Sequence, residues 1–185
     1  MSRIVIKIFL YQITPKIWRQ IAVPDDFTFI QVSDALQAAL GWENKHPHEF
    51  RHGKGKRLVD VIGPVGLEDQ TPGDFQDEAK LTLKQFIGKR RLPIRMLYRY
   101  DFAEDWIHEV VFEKRDEGEG VELLGGERAC PPEDVGGPWG YEEFLSIMAD
   151  PKHPEHDERE EWIGGSFDPE EFSVDDVNEV LNHKP

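Results

Sequence analysis

Two segments separated by only four residues carry a large side chain at every second position, and this pattern restricts the fold more than any other feature. In residues 94–101 the large residues are isoleucine, methionine and two tyrosines; in residues 106–113 they are tryptophan, histidine, valine and phenylalanine. A period of two is typical of a β-strand with one buried face. Because the link is so short, the two segments predict an antiparallel β-hairpin.

The hairpin predicts one candidate site. We expect Asp101 to pair with Trp106 across the turn. The next pair on the same face is then Arg99 with His108, and the Asp101 carboxylate lies diagonal to the imidazole. A carboxylate beside an imidazole fixes its tautomer and raises its pKa, as a general base or a metal-binding histidine requires. The alternative is a structural pair under Trp106 that fixes the hairpin.

Two helices are marked by their first residues. Thr28 and Gln31 have the spacing of a capping box, and apolar residues follow with helical period over 29–40. Thr82 and Gln85 repeat the spacing and predict one or two helical turns.

The remaining elements are less sharply marked. They are a strand over 4–11, two short strands around a glycine turn within 46–62, a long loop over 63–79, irregular chain over 119–137, and helices beginning at Pro138, spanning 155–163 and beginning after Ser173. This order predicts an α+β fold, with a largely antiparallel sheet of about four or five strands packed by the helix at 29–40 and by the C-terminal helices. A length of 185 residues is typical of a single domain, here 1–185.

Charge is distributed unevenly along the chain. The net charge is −15; residues 1–100 contain 16 Lys and Arg against 11 Asp and Glu, and residues 101–185 contain 6 against 26. Because DNA and RNA favour a cationic surface, this predicts no general nucleic-acid binding, although basic residues between Lys54 and Arg99 form a candidate patch. No apolar run approaches the roughly 20 residues that span a bilayer, so we expect no membrane contact. A single cysteine, Cys130, is typical of a reducing compartment, and the expected location is cytoplasmic.

Two histidines flank a proline in His46-Pro47-His48. On a strand both imidazoles point to the same side, an arrangement that suits a metal ion. Pro47 also keeps the residue before it extended. The alternative is a pair of turn and edge residues without a ligand.

The segment 125–137 combines terminal glycines, which free the backbone, with two prolines that fix an extended path and with charged side chains. It lacks the Gly-Lys-Ser/Thr pattern of a phosphate-binding loop. Cys130 lacks the partner histidine and asparagine of a nucleophile signature. The segment therefore predicts either a ligand-contacting loop or a structured loop packed across the sheet.

Four strings of residues carry a resemblance to a known family. They are Ile17-Trp18-Arg19-Gln20-Ile21 with Val23-Pro24, Gly41-Trp42-Glu43-Asn44 with His46, His48 and Phe50, Tyr100-Asp101-Phe102 with Trp106 and His108, and Gly126-Glu127-Arg128-Ala129-Cys130-Pro131-Pro132-Glu133-Asp134 with Gly136-Gly137-Pro138. Together they resemble the plasmid pRiA4b ORF-3-like family, whose members include passenger proteins of transposable elements. The resemblance runs over roughly residues 3–182 and implies a shared fold and a set of recurrent residues, without an established activity.

Two positions depart from the family's pattern. Ala103-Glu104 stands where the hairpin turn usually reads Gly-Asp, which weakens the expectation of a turn residue with positive φ there. Val135 stands where the loop usually has a second cysteine, which argues against a two-thiolate metal site.

These features predict a binding module without a cofactor, whose partner is a protein or a small molecule; the resemblance adds an accessory role in mobile elements. The candidate binding residues mix polar groups with large aromatics and complete no catalytic signature. They are Trp42, His46, His48, Asp101, Asp105, Trp106, His108, Arg128, Cys130, Glu133 and Asp134. The alternative is a metal-dependent enzyme. Its ligands would be His46, His48, His108 and Asp101 or Asp105, with Glu104 or Glu133 as base.

Overall fold

A computed structural model describes residues 1–54, 57–67 and 74–183 of the chain. Its strands are β1 (Ser2–Leu10), β2 (Trp18–Pro24), β3 (His48–Lys54), β4 (Arg57–Gly63), β5 (Asp74–Asp77), β6 (Ile94–Tyr100), β7 (Trp106–Glu117) and β8 (Glu122–Glu127). Its helices are α1 (Phe29–Leu40), α2 (Leu83–Ile87), α3 (Gly137–Met148), α4 (His156–Ile163) and α5 (Val174–His183). The two residues between β3 and β4, at the predicted glycine turn, lie outside the described residues.

Local capping signals set where the first two helices begin. α1 begins after Thr28 and α2 after Thr82, each with the reciprocal bonds of a capping box. α1 ends at Gly41, whose φ of 81° lies in the left-handed region that glycine adopts without steric cost. Both helix predictions are confirmed.

The described strands form one mixed sheet in the order β5-β4-β3-β6-β7-β1-β2-β8. Neighbouring strands are antiparallel except β4 and β5, which are parallel. The α+β class is confirmed, but the sheet has eight strands instead of four or five. Two of the additional strands, β5 and β8, are edge strands within segments expected to be irregular. Edge strands pair through backbone groups along one side, so short polar or glycine-containing segments can form them without apolar alternation.

The third additional strand, β2, contains a charged residue that faces the core. Arg19 is 3% exposed, and burial lowers the pKa of its guanidinium. The guanidinium donates to four backbone carbonyls, those of Trp18, Ala39, Glu127 and Arg128. Arg19 therefore joins α1 to β2 and β8 at one end of the sheet. Because Arg19 is charged, β2 lacks the regular alternation of apolar residues from which a strand is predicted.

The helices contribute unequally to the core. α1 and α3 bury side chains in the cluster that includes the apolar face of β1. α4 buries none fully, so the expectation that all the C-terminal helices pack on the sheet is wrong for this one. α5 reaches β8 through Asn178, whose side chain accepts from the Leu123 N–H at 2.7 Å and donates to its carbonyl at 3.0 Å. No helix in the described ranges is both long and apolar enough to cross a membrane.

Candidate functional site

The predicted β6–β7 hairpin is present, but its register differs by one residue. Tyr100 pairs with Trp106, and Tyr98 with His108. The predicted Asp101–Trp106 pair is therefore wrong, and Asp101 makes no hydrogen bond to His108. A shift of one residue moves side chains to the opposite face. Trp106 and His108 therefore share their face with Tyr100 and Tyr98, and not with Asp101 and Arg99.

The turn is five residues long because two aspartates adopt positive φ. The φ angles are 51° at Asp101 and 59° at Asp105, a conformation that aspartate tolerates better than most residues. Asp101 Oδ1 accepts from the backbone N–H groups of Ala103 at 3.0 Å and Glu104 at 3.3 Å. The Ala103-Glu104 departure from the family's pattern therefore does not disturb the turn.

An aromatic layer packs beneath this turn. Trp42 stacks on Tyr100 with ring centroids 5.1 Å apart and lies 5.6 Å from Trp106. Its Nε1 donates to the Pro131 carbonyl at 2.8 Å, which holds the loop before α3 against the layer. Because the three aromatic rings are buried, Trp42 and Trp106 form the floor of the site and offer no exposed surface for stacking.

Four predicted residues meet above this floor. His46 Nε2 lies 3.0 Å from Asp134 Oδ1, 3.7 Å from Asp101 Oδ2 and 3.9 Å from Glu133 Oε2. These distances define the carboxylate–imidazole cluster of His46, Asp101, Glu133 and Asp134. The cluster joins the start of β3, the hairpin turn and the loop before α3, and can interact with a positively charged ligand.

The side chains of the cluster differ in exposure, from buried to exposed. The side chains of Asp101, Glu133, His46 and Asp134 are 6%, 13%, 27% and 60% exposed. Glu133 Oε1 accepts from the Glu43 N–H at 2.8 Å and from the Tyr100 hydroxyl at 3.0 Å. Burial and the bond to Glu133 raise the pKa of Tyr100 far above its usual range, so this hydroxyl remains a proton donor that fixes the carboxylate.

Glu104 fastens the turn to the start of α3. Its carboxylate accepts from the N–H groups of Gly136 at 2.8 Å and Gly137 at 3.0 Å, and from Trp106 Nε1 at 3.0 Å. Gly136, the residue before the helix, has no side chain to cap it, so the cap comes from the hairpin turn. The turn and the loop therefore form one unit.

His108 lies outside the cluster. It is fully buried against the Trp42 ring, and its Nδ1 donates to the Tyr98 carbonyl at 3.2 Å. Its Nε2 has no hydrogen-bond partner within the described residues. Burial lowers the pKa of His108 to about 4, so the expectation of a pKa raised by Asp101 is wrong.

His48 and Asp105 also lie apart from the cluster. His48 Nε2 donates to Glu78 Oε2 at 2.8 Å, and both side chains are buried. Asp105 pairs with Arg99, which lies opposite Ile107 on the other face of the sheet from His108. Of the metal ligands expected from sequence, the structure brings together His46 and Asp101.

Arg128 and Cys130 lie at the β2 side of the loop. Arg128 donates to Glu170 Oε1 at 2.7 Å and to the Pro15 carbonyl at 2.9 Å. The Cys130 thiol lies 3.3 Å from an Arg19 nitrogen. Burial raises the pKa of Cys130 to about 11, although Arg19 opposes the shift. Neither residue contacts the cluster.

A known protein family matches most of this chain. A family model described as plasmid pRiA4b ORF-3-like protein matches residues 2–176. The chain belongs to this family. The match spans every strand and four of the helices described above, so the resemblance predicted from the four strings is confirmed.

Two other proteins are similar to this member of the pRiA4b ORF-3-like family over nearly its whole length. The chain is 35% identical to the uncharacterized protein y4hQ of Sinorhizobium fredii (strain NBRC 101917 / NGR234), over 96% of this chain and 89% of that protein. It is similar to the crystal structure of the protein of unknown function MM3350 from Methanosarcina mazei Go1, with a TM-score of 0.81 and 38% identity over 95% of this chain and 97% of that one. Both relatives are described as uncharacterised, and neither supplies an activity.

Sequence reasoning missed an exposed aromatic in the helix that follows the loop. Trp139, in the first turn of α3, is 82% exposed, and Tyr11 after β1 is 58% exposed. A recess of about 190 Å³ is lined by Gln12, Pro138, Trp139 and Glu142. The signal was available, because Trp139 and the buried Tyr141 are two residues apart and so lie on different faces of a helix.

Proposed function

We propose that this protein is a non-catalytic binding module that holds a basic segment of a partner protein against the exposed start of α3. The observation that carries the proposal is the 82% exposure of Trp139 beside the recess. Tryptophan is costly to leave in water and is enriched where interfaces are strongest. The family's description refers to a plasmid, which supports an accessory role in a mobile element, and we expect the protein in a reducing cytoplasm.

The helix start that presents Trp139 is held rigidly. The Glu104 carboxylate accepts from Gly136 and Gly137. Gly137 has a φ of 70°, and a Cβ there would lie 2.6 Å from the Glu104 carbonyl oxygen. A helix start held in one conformation loses little backbone entropy when a partner binds, so this geometry supports recognition.

The side chains around the recess favour a cationic group. Trp139 offers an aromatic face, and Glu142 lines the same recess. A guanidinium or ammonium group interacts with an aromatic face and a carboxylate together. We therefore infer that the partner inserts an arginine or a lysine.

The overall charge supports a basic partner. Residues 101–185, which contain this surface, hold 26 Asp and Glu against 6 Lys and Arg. The resulting field attracts a basic peptide and repels an acidic one. Asp134, exposed and five residues before Trp139, adds to the field on the side of the carboxylate–imidazole cluster.

The pKa values of two reactive groups support a role in binding. Burial raises the pKa of the Cys130 thiol to about 11 and lowers the pKa of His108 to about 4. A thiol that acts as a nucleophile near neutral pH needs a lowered pKa. A catalytic base needs access to substrate, and His108 is fully buried.

A random peptide library displayed on phage tests the proposal against the full chain. We expect selected peptides to be enriched in arginine and lysine. In fluorescence anisotropy with one labelled selected peptide, Trp139→Ala and Glu142→Lys should each weaken binding roughly tenfold or more. The matched control is Trp162→Ala, which removes a tryptophan that is 43% exposed on α4 and should leave binding unchanged. Selection of peptides without basic residues, or equal binding by Trp139→Ala, would overturn the proposal.

A further inference from the structure

We propose that His46, Asp101 and Asp134 bind one divalent transition-metal cation, with the Glu133 carboxylate beside it as a fourth donor. This site is separate from the peptide surface proposed above and does not depend on it. The ions that we expect to bind there are Zn²⁺ and Mn²⁺.

The spacing of the donor atoms matches a single ion. His46 Nε2 lies 3.0 Å from Asp134 Oδ1 and 3.7 Å from Asp101 Oδ2. One ligand atom from each of the three residues lies within 4.8 Å of the other two. Ligands held at about 2.1 Å from one ion are themselves about 3.0–4.2 Å apart, so small side-chain adjustments complete the site.

The second observation is a carboxylate oxygen without a hydrogen bond on a buried side chain. The Asp101 side chain is 6% exposed, and its Oδ1 accepts from the two N–H groups of the turn. Its Oδ2 makes no hydrogen bond to the part of the chain that the structure describes and faces the His46 ring. A carboxylate on a largely buried side chain is costly unless a positive partner compensates its charge. A cation between Asp101, His46 and Asp134 supplies that partner.

The surrounding bonds prepare the site for an ion. Tyr100 and the Glu43 N–H fix Glu133, and Glu133 Oε2 lies 3.9 Å from His46 Nε2. Hydrogen-bonded donors of this kind raise metal affinity because their orientation is set in advance. Asp134 is 60% exposed, which gives the ion a route from solvent.

The donor set indicates which ion fits. One imidazole with two or three carboxylates suits Zn²⁺ or Mn²⁺. The Cys130 thiol bonds to Arg19 away from the cluster, so no thiolate is available to select Cu(I) or an iron–sulfur cluster. When an ion binds, His46 Nε2 gives up the proton that it donates to Asp134.

Isothermal titration with ZnCl₂ tests the site on the full chain, purified without a histidine tag and stripped with EDTA. We expect one ion per chain, and a loss of affinity of roughly tenfold or more in His46→Ala and in Asp101→Asn. Asp101→Asn keeps an oxygen for the turn, so it separates ligation from folding. The matched control is His156→Ala, which removes the imidazole of a second group on α4, His156, Asp157 and Glu160, and should leave affinity within about twofold.

Paramagnetic Mn²⁺ provides a readout that needs no variant. We expect substoichiometric Mn²⁺ to broaden the imidazole NMR signals of His46 before those of His153 and His156. Absence of a stoichiometric site, unchanged binding in His46→Ala, loss of binding in His156→Ala or preferential broadening at α4 would each overturn the proposal.

Discussion

Glu104 Oε1 accepts a hydrogen bond from the Gly136 N–H at 2.8 Å, across 32 residues of sequence. The same carboxylate also binds the Gly137 N–H and the Trp106 indole. One side chain thus closes the start of α3 onto the β6–β7 turn, and both proposed sites lie on the unit that it joins.

Replacement of this carboxylate should destabilise the whole fold. Glu104→Ala leaves three N–H donors without their partner, and we expect a loss of about 1–3 kcal/mol in the free energy of unfolding. Urea denaturation followed by circular dichroism measures it. Glu143→Ala, at an exposed position on α3, is the control and should change stability by less than about 0.5 kcal/mol. Equal stability of Glu104→Ala and the control would contradict the role of Glu104.

The buried His108 should make stability depend on pH below neutrality. Burial holds the pKa of His108 at about 4 in the folded chain, against 6.5 for a free histidine. As the pH falls, the unfolded chain takes up this proton first, so stability is complete above about pH 6.5 and declines from there down to about pH 4. Between pH 7.5 and pH 5 the decline from this group is about 2 kcal/mol.

The variant His108→Asn isolates that contribution. Asparagine is neutral throughout and keeps a donor near the position of Nδ1, so the pH dependence due to other groups remains. Urea denaturation at several pH values should show a steeper loss of stability in the parent chain than in the variant. Identical pH dependence in both would show that His108 does not titrate as its burial implies.

Cys130 should react slowly in the folded protein. A pKa raised to about 11 by burial lowers the thiolate fraction at pH 8 by roughly a hundredfold relative to an ordinary cysteine. Because Cys130 is the one cysteine of the chain, mass spectrometry after iodoacetamide treatment reports on it alone. The same treatment in urea is the control and should label the thiol rapidly. Rapid labelling of the folded chain would identify Cys130 as accessible and reactive.

The predicted basic patch should not bind nucleic acid. Three of its described arginines already pair with carboxylates: Arg90 with Asp60, Arg95 with Glu109, and Arg99 with Asp105. We expect no affinity for mixed-sequence DNA or RNA tighter than roughly 10⁻⁵ M at physiological salt. A salt titration by fluorescence anisotropy checks this, and tight binding that weakens steeply with salt would contradict it.

Local signals in the sequence predicted local structure well. The capping boxes at Thr28 and Thr82 placed two helices correctly, since a cap depends on residues three apart. The hairpin register was missed because Asp101 adopts positive φ and leaves the strand. Hydrophobic alternation does not report such a backbone angle, and one residue of error changed the predicted contacts of His108.

The sequence predicted which residues form the candidate site, but not which contacts they make. His46, Asp101, Glu133 and Asp134 were all selected from sequence, and they meet because Trp42 and Glu104 hold the loop before α3 against the turn. Those two contacts span about 90 and 30 residues, beyond the reach of any local pattern. His48 instead pairs with Glu78, in a segment expected to be a loop.

The position of β1 in the sheet bears on how the chain folds during synthesis. β1 pairs on one side with β2, which follows it closely, and on the other with β7, where Ile8 lies opposite Val110. At a translation rate of about 5–20 residues per second, β7 is completed roughly 5–20 s after β1. For that time the nascent chain carries an apolar strand with one unpaired edge. Until Trp106–Glu117 has emerged from the ribosome, this edge of β1 is open to pairing with another chain, which is a route to aggregation during synthesis.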